Sequence, residues 1–160
     1  MLIDTHAHLC DPVFDDDRVA VLTRAQDAGI GAIIAVSETL AEAERNLELF
    51  ARHPEMVRPA AGLFPTILDP RQAEAMAAWI RDHRQHLVAI GEVGLDRWKV
   101  QDEQGREVQE RIFDLFIHLS LELDLPLNIH SRAAGRQTIA MLLERGATRV
   151  QLHAFDGRAA

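Results

Sequence analysis

Short apolar runs that end on a potential metal ligand restrict the fold of this chain more than any other feature. Four such runs end on His8, Glu92, His130 and His153. Runs of this length between helical segments are typical of buried parallel strands, whose carboxyl ends meet at one edge of a sheet. The pattern therefore predicts that these side chains gather around one point and form a metal site of the hydrolytic kind.

The apolar runs alternate with segments that have helical periodicity. Strands are predicted near residues 2–8, 32–36, 57–62, 87–92, 126–130 and 149–153. Helices are predicted over residues 15–28, 39–52, 70–85, 104–124 and 136–145. Repeated βα units with right-handed crossovers form a parallel sheet covered by helices, either an open doubly wound sheet or a barrel.

The chemistry of the strand ends favours a barrel. An open sheet often carries a glycine-rich phosphate loop after its first strand, and neither GxGxxG nor GxxxxGK[ST] occurs in this sequence. The first strand instead contains His6 and His8, whose side chains point to the same face because they are two residues apart. Ligands from several strands that meet at the carboxyl end of a barrel are typical of a metal hydrolase.

Composition limits the partners of the chain. With 160 residues and 48% hydrophobic content, residues 1–160 are expected to form one domain. A formal charge of -8 argues against a basic surface that binds nucleic acid by phosphate neutralisation alone. No apolar stretch is long enough to span a membrane, and the single cysteine, Cys10, favours a reducing compartment, so a cytoplasmic location without a membrane partner is predicted.

Four linked motifs resemble a known family over nearly the whole chain. They are Asp4-Thr5-His6-Ala7-His8-Leu9, Gly91-Glu92-Val93-Gly94-Leu95-Asp96, Asn128-Ile129-His130-Ser131-Arg132 and Leu152-His153-Ala154-Phe155-Asp156-Gly157. Together they resemble the TatD family of metal-dependent deoxyribonucleases, within the amidohydrolase superfamily. The stretch from Asn128 to Gly157 is most similar to the TatD-domain-containing-3 subgroup.

The resemblance implies a TIM-type (β/α) barrel that holds two divalent ions, Mg, Mn or Zn. By motif, His6 and His8 would bind one ion, His130 and His153 the other, and Glu92 would bridge them. Water activated between the ions would then attack a phosphodiester. Arg132, next to a predicted ligand, is the candidate for holding a substrate phosphate by a charge-assisted hydrogen bond.

Two departures from the family pattern affect these expectations. The pattern continues beyond Ala160 to a strand that ends in an aspartate ligand, so an incomplete barrel with about six of eight βα units is expected, without its C-terminal part. Self-association through exposed barrel edges is then also expected. The second departure is Phe64, where the family usually has a histidine.

Three functions remain open at this stage. The first is a deoxyribonuclease acting on single-stranded DNA, and the second is a hydrolase of a small ester, amide or phosphoester. The third is a catalytically inactive remnant that still binds metal. Among other residues, Asp4 is expected to orient an imidazole, whereas for Asp96 this role and the capping of a turn both stay open. Asp156 is a candidate for a further ligand, and Arg97, Trp98 and Lys99 are candidates for contacts with a nucleotide by stacking and charge.

Overall fold

A computed structural model describes residues 1–153 and residue 155, and strands alternate with helices along this part of the chain. The strands are β1 (Leu2–Ala7), β2 (Ile30–Ala35), β3 (Val57–Ala61), β4 (Ala89–Gly94), β5 (Leu127–His130) and β6 (Val150–His153). The helices are α1 (Arg18–Asp27), α2 (Leu40–Arg52), α3 (Pro70–Asp82), α4 (Glu103–Leu123) and α5 (Gly135–Arg145). Two short 3-10 helices cover Pro12–Phe14 and Arg84–His86.

The strands form one parallel sheet in the order β1-β2-β3-β4-β5-β6. Strands β1 and β6 lie at opposite ends of this order, yet the rings of His6 in β1 and His153 in β6 stack with centroids 3.5 Å apart. The sheet must therefore curve strongly enough to bring its two outer strands together. The predicted α/β fold of barrel type with about six βα units is therefore confirmed.

Side-chain caps stabilise the starts of three helices. Thr39 precedes α2 and accepts a hydrogen bond from the backbone N–H of Glu42, while the Glu42 carboxylate accepts one from the backbone N–H of Glu38, the residue before the cap. Asp69 caps α3 through the N–H of Arg71, and Asp102 caps α4 through the N–H of Gly105. These bonds satisfy N–H groups in the first turns of α2, α3 and α4, whereas α1 and α5 begin without such a side-chain bond.

The main hydrophobic core lies between the sheet and its covering helices. Phe113, Phe116 and Ile117 of α4 are fully buried and belong to the same cluster as Ile90 of β4 and Ile129 of β5. Strand β1 differs, since Leu2 is 63% and Ile3 51% exposed. None of the helices in the described part of the chain is long and apolar enough to cross a membrane.

Strand β4 is placed differently from the prediction. It begins at Ala89 and ends at Gly94, so Glu92 lies inside the strand rather than at its end. The pairing of β4 with β5 shifts register between Ile90 and Val93. At Gly94, φ is 141° and a Cβ atom would lie 2.1 Å from the carbonyl oxygen of His130. A residue without a side chain is therefore needed where β4 approaches the end of β5.

Candidate metal centre

The predicted ligands meet at the carboxyl end of the sheet. His6 lies in β1 and His8 follows that strand, Glu92 lies in β4, and His130 and His153 are the last residues of β5 and β6. Parallel pairing sets His130 opposite His153 and also opposite Gly94, two residues after Glu92. The fold therefore gathers all five side chains into one cluster.

Glu92 is the centre of this cluster. Its carboxylate is 3% exposed and lies 2.7 Å from Nδ1 of His130, 3.4 Å from Nε2 of His8 and 3.7 Å from Nε2 of His6. Among the described residues, no lysine or arginine forms an ion pair with it. A buried carboxylate needs a positive partner or good hydrogen bonds, and a bound cation at this point would supply the charge.

Asn128 holds the ring of His6. The Asn128 Oδ1 lies 2.8 Å from Nδ1 of His6, and its Nδ2 donates to the carbonyl oxygen of Thr5 at 2.6 Å. If Nδ1 of His6 donates to Asn128, Nε2 is left with a free electron pair for a metal. This nitrogen also lies 3.3 Å from Nε2 of His8, a separation that two ligands of one ion can have.

His130 lies between two carboxylates. Its Nδ1 lies 2.7 Å from Glu92 and its Nε2 lies 3.0 Å from Oδ2 of Asp96. The ring of Phe64 packs edge-on against it with centroids 5.1 Å apart. The apolar residue at position 64 therefore packs against the ring of a predicted ligand, and the two carboxylates fix the plane of that ring.

The surroundings shift the pKa values of the histidines in different directions. Burial lowers the pKa of His6 and of His153 below the ordinary histidine value. Burial acts in the same direction on His130, but its hydrogen bonds with Glu92 and Asp96 and their charges together raise its pKa. Burial also opposes ionisation of Glu92, yet the His130 hydrogen bond and the nearby histidines hold the pKa of Glu92 below its usual range.

Two groups of side chains have the geometry to hold an ion. In each group, one ligand atom per residue lies within 4.8 Å of the others: His6, Glu92 and His153 in the first, and His8, Glu38 and Glu92 in the second. Glu92 belongs to both, which fits the bridging position predicted for it. The predicted pairing of His6 with His8 and of His130 with His153 differs from these groups and stays a prediction.

Two residues of the site were missed from sequence and a third was left open. Glu38 and Asn128 had no assigned role. For Asp96, orienting an imidazole and capping a turn were both open, and Asp96 contacts His130 and also accepts hydrogen bonds from the backbone of Trp98 and Lys99. Asp96 is 1% exposed, a burial that its charge does not suggest from sequence. Its position within the Glu92 motif was the available signal.

The remaining candidates lie around this cluster. Asp4 was expected to orient an imidazole ring. In the structure its carboxylate accepts a hydrogen bond from the backbone N–H of His6 at 3.1 Å. The guanidinium of Arg132 stacks on the exposed Trp98 ring, 3.8 Å from its centroid, and Lys99 lies 5.0 Å from the same ring. Asp156 lies outside the described residues.

The fold and this cluster define a class of protein, the α/β-barrel proteins with a histidine and carboxylate centre at the carboxyl end of the strands. Comparison with known proteins then identifies the family. The model of the family described as TatD related DNase matches residues 3–160. The chain belongs to this family, and the resemblance inferred from the four motifs is confirmed.

Individual relatives agree with this assignment. The chain is 40% identical to Deoxyribonuclease TATDN3 of Homo sapiens over 98% of its own length and 61% of the relative. It is 34% identical to the metal-dependent hydrolase YabD of Bacillus subtilis over 99% of its length and 62% of the relative. The crystal structure of the Escherichia coli TatD homologue YjjV superposes with a TM-score of 0.87 at 30% identity, over 98% of this chain and 61% of that one. The chain thus spans about three fifths of the length of these relatives.

Proposed function

We propose that this chain carries the metal centre of a hydrolase that cleaves phosphodiester bonds in single-stranded DNA. The observation that carries the proposal is the buried Glu92 carboxylate with His6, His8 and His130 within 3.7 Å of it, from three segments of the chain. The family assignment and the deoxyribonuclease name of a 40% identical relative support the choice of DNA.

In this proposal, His6, His8, Glu92, His130 and His153 hold two divalent ions. Carboxylate oxygen suits Mg or Mn and imidazole suits Zn, so this donor set accepts all three. When bound, such ions activate water and offset the charge that develops on a phosphate during displacement. The lowered pKa values of His6 and His153 keep both rings neutral and able to donate an electron pair at neutral pH.

Glu92 is proposed to act as the central ligand. Its lowered pKa keeps the carboxylate ionised, and its two oxygens face different histidines, since Oε1 contacts His130 and Oε2 contacts His6 and His8. A carboxylate with this arrangement can place one oxygen on each of two ions. The Glu92 carboxylate is 3% exposed, and its burial strengthens its electrostatic interactions with the surrounding ligands.

Arg132 and Trp98 are proposed to receive the substrate. Arg132 is exposed and follows the β5 end that carries His130, so its guanidinium can hold a phosphate by charge-assisted hydrogen bonds. The Trp98 ring is 52% exposed, and the part that the Arg132 guanidinium does not cover offers a stacking surface for an unpaired base.

We include a cytoplasmic location in the proposal. The buried Cys10 is not in a disulfide among the described residues, which fits a reducing compartment.

A small phosphoester or ester is the second candidate substrate. The formal charge of -8 favours it, because an acidic protein repels a long polyanion except where cations are placed locally. The same cluster of imidazoles and carboxylates can serve either substrate.

The test compares metal-loaded protein with the Glu92→Gln variant on a labelled single-stranded oligonucleotide and on a panel of small esters and phosphoesters. Glu92→Gln keeps the side-chain shape but removes the charge, and we expect it to reduce hydrolysis at least about 100-fold. Glu74→Gln, an exposed carboxylate on α3, is the matched control and should keep full activity.

The outcomes separate the candidate functions. Cleavage of the oligonucleotide that depends on Glu92 supports the deoxyribonuclease, and cleavage of small esters alone supports the second candidate. Bound metal without hydrolysis of any substrate means that the chain is an inactive remnant. Equal rates for Glu92→Gln and the unaltered protein refute the role given to Glu92.

A further inference from the structure

Glu38, which follows β2, lies beside the candidate metal centre although the sequence motifs do not mark it. Its Oε1 lies 3.9 Å from Nδ1 of His8, and its side chain is 39% exposed. Among the described residues, Glu38 forms no ion pair with lysine or arginine, and its carboxylate oxygens accept no hydrogen bond. This carboxylate therefore lacks a permanent positive partner in the described part of the chain.

We propose that Glu38 is a further carboxylate ligand, which holds one divalent ion together with His8 and Glu92. One ring nitrogen of His8 and one oxygen from each carboxylate lie within 4.8 Å of one another. Ligands of a single ion are separated by about 3 to 4.2 Å when each metal–ligand bond is about 2.1 Å. Because Glu92 lies near Nε2 of His8 and Glu38 near Nδ1, and one ion takes only one of these nitrogens, a rotation of the partly exposed Glu38 side chain is needed to close the group. The inference rests on the proposed function, because it extends the same metal centre.

The backbone of Glu38 is fixed by bonds on both sides. Its N–H donates to Oε2 of Glu42 in the first turn of α2 at 2.7 Å, and its carbonyl oxygen accepts from the N–H of Phe64 at 2.9 Å. Such a position aims a side chain more reproducibly than a free loop does. The side chain keeps its own rotations, but its starting point relative to the site is set.

The preceding residue connects this turn directly to Glu92. The buried Ser37 accepts a hydrogen bond from the backbone N–H of Glu92 at 3.0 Å and donates its own N–H to the carbonyl oxygen of Gly91 at 3.3 Å. The Ser37 hydroxyl also contacts the backbone of Gly62 at the end of β3. The end of β2 is thus tied to β4 beneath the metal centre, and this connection sets the distance between the Glu38 and Glu92 carboxylates.

The donor set has a consequence for the choice of ion. Two carboxylates and one imidazole offer harder ligands than a group dominated by imidazoles, so this position favours Mn or Mg over Zn. Glu38 adds a second negative charge beside this ion, whereas Glu92 is shared between the two groups. Without the ion, Glu38 and Glu92 remain two negative groups near one histidine, His8.

The experiment measures Mn²⁺ binding to the full 160-residue chain by titration followed by electron paramagnetic resonance, and bound metal by elemental analysis. We expect Glu38→Gln to weaken binding of one Mn²⁺ at least about tenfold. The matched control, Glu44→Gln, changes an exposed carboxylate on α2 and should bind as the unaltered protein does. Circular dichroism of the metal-free variants checks that each has folded.

Each outcome has one meaning. Unchanged Mn²⁺ affinity in a folded Glu38→Gln variant overturns the inference. A loss in Glu38→Ala but not in Glu38→Gln also overturns it, because an amide can still orient His8 through a hydrogen bond but is a poor metal ligand. If the unaltered protein binds Mn²⁺ and Glu92→Gln does not, the proposed metal centre stands whatever Glu38 does. If the unaltered protein binds no Mn²⁺, both proposals fail.

Discussion

At the scale of single residues, Asp96 connects the metal centre to the loop that follows β4. Its Oδ2 contacts Nε2 of His130, and its Oδ1 accepts from the backbone N–H groups of Trp98 and Lys99. Histidine ligands are commonly oriented by a carboxylate on the ring nitrogen that does not bind the metal. Asp96 is in the position to do this for His130 and to shape the loop beneath the stacked Arg132 and Trp98 at the same time.

We expect Asp96→Asn to lower metal affinity about 10- to 100-fold while the metal-free protein melts almost unchanged. Asparagine keeps an oxygen that can accept from the two backbone N–H groups. It lacks the negative charge that strengthens the hydrogen bond between Asp96 and His130. Isothermal titration with Mn²⁺ measures the affinity, and thermal melting of the metal-free protein measures stability. A variant that loses stability but binds Mn²⁺ normally would show that Asp96 serves only the loop.

The five ligand candidates were predictable because each lies in or just after an apolar strand-like run. Glu38 was not, because its place beside His8 depends on the Ser37 hydrogen bonds that bring the end of β2 beneath β4, two strands away in the sheet. Asn128 was not, because a polar residue inside a strand has no sequence signal for the neighbour that it contacts. Local patterns predict which edge a residue reaches, and packing across the sheet decides what it touches there.

At the scale of secondary-structure elements, α4 depends on its first turn. The Asp102 carboxylate accepts from the N–H of Gly105 at 2.7 Å, and the helix then continues to Leu123. Its buried face contributes Phe113 and Phe116 to the main core. Because this helix covers the strand that carries Glu92, loss of its N-cap affects the stability of the element that supports the site.

We expect Asp102→Ala to lower the free energy of unfolding by about 1 kcal/mol, because alanine cannot satisfy an N–H group at the start of the helix. Asp102→Asn keeps the acceptor and should stay close to the unaltered protein. Urea unfolding followed by circular dichroism measures both. If the alanine and asparagine variants have the same midpoint, the hydrogen bond to Gly105 contributes nothing measurable to α4.

The boundaries of the elements were predicted less well than their existence. The helix predicted over residues 15–28 begins only at Arg18, because Asp15 instead forms ion pairs with Arg18 and Arg45 after a short 3-10 helix. The strand predicted at 87–92 runs from Ala89 to Gly94, because its pairing with β5 shifts register around Glu92. Periodicity alone shows neither the ion pair between Asp15 and Arg45 nor the register shift between β4 and β5.

At the scale of the whole molecule, β1 is an outer strand of the sheet with exposed apolar side chains. It pairs with β2 on one side, and Leu2 and Ile3 are both more than half exposed. Unpaired strand edges with apolar residues favour association with other chains. The net charge of -8 acts against such association at low ionic strength and less so at high salt.

We expect the 160-residue chain to self-associate in sedimentation velocity, with larger species at higher protein and salt concentrations. Leu2→Lys should shift the distribution toward monomer, because a lysine on an edge strand opposes pairing. Val19→Lys is the matched control, since Val19 is 65% exposed but lies on α1. Equal effects of the two lysines would assign the change to charge alone and not to the edge of β1.

The barrel type of the sheet was predictable because His6 and His8 share a strand face and further ligands end other strands. That inference needed chemistry as well as periodicity, since alternating strands and helices also suit an open sheet. The way in which β1 and β6 approach each other was not predictable, because stacking of His6 on His153 depends on the curvature of all six strands.

The Asn128 contact with His6 also affects when a nascent chain can complete the proposed metal site. The orientation of a ring near the amino terminus depends on an amide 122 positions later, so synthesis must pass β5 before the ring is held in place. Segments emerge from the ribosome in order, and contacts between distant positions form last. The proposed ion site at His6 therefore takes its final geometry only after β5 has been made, and His6 and His8 remain an unassembled pair until then.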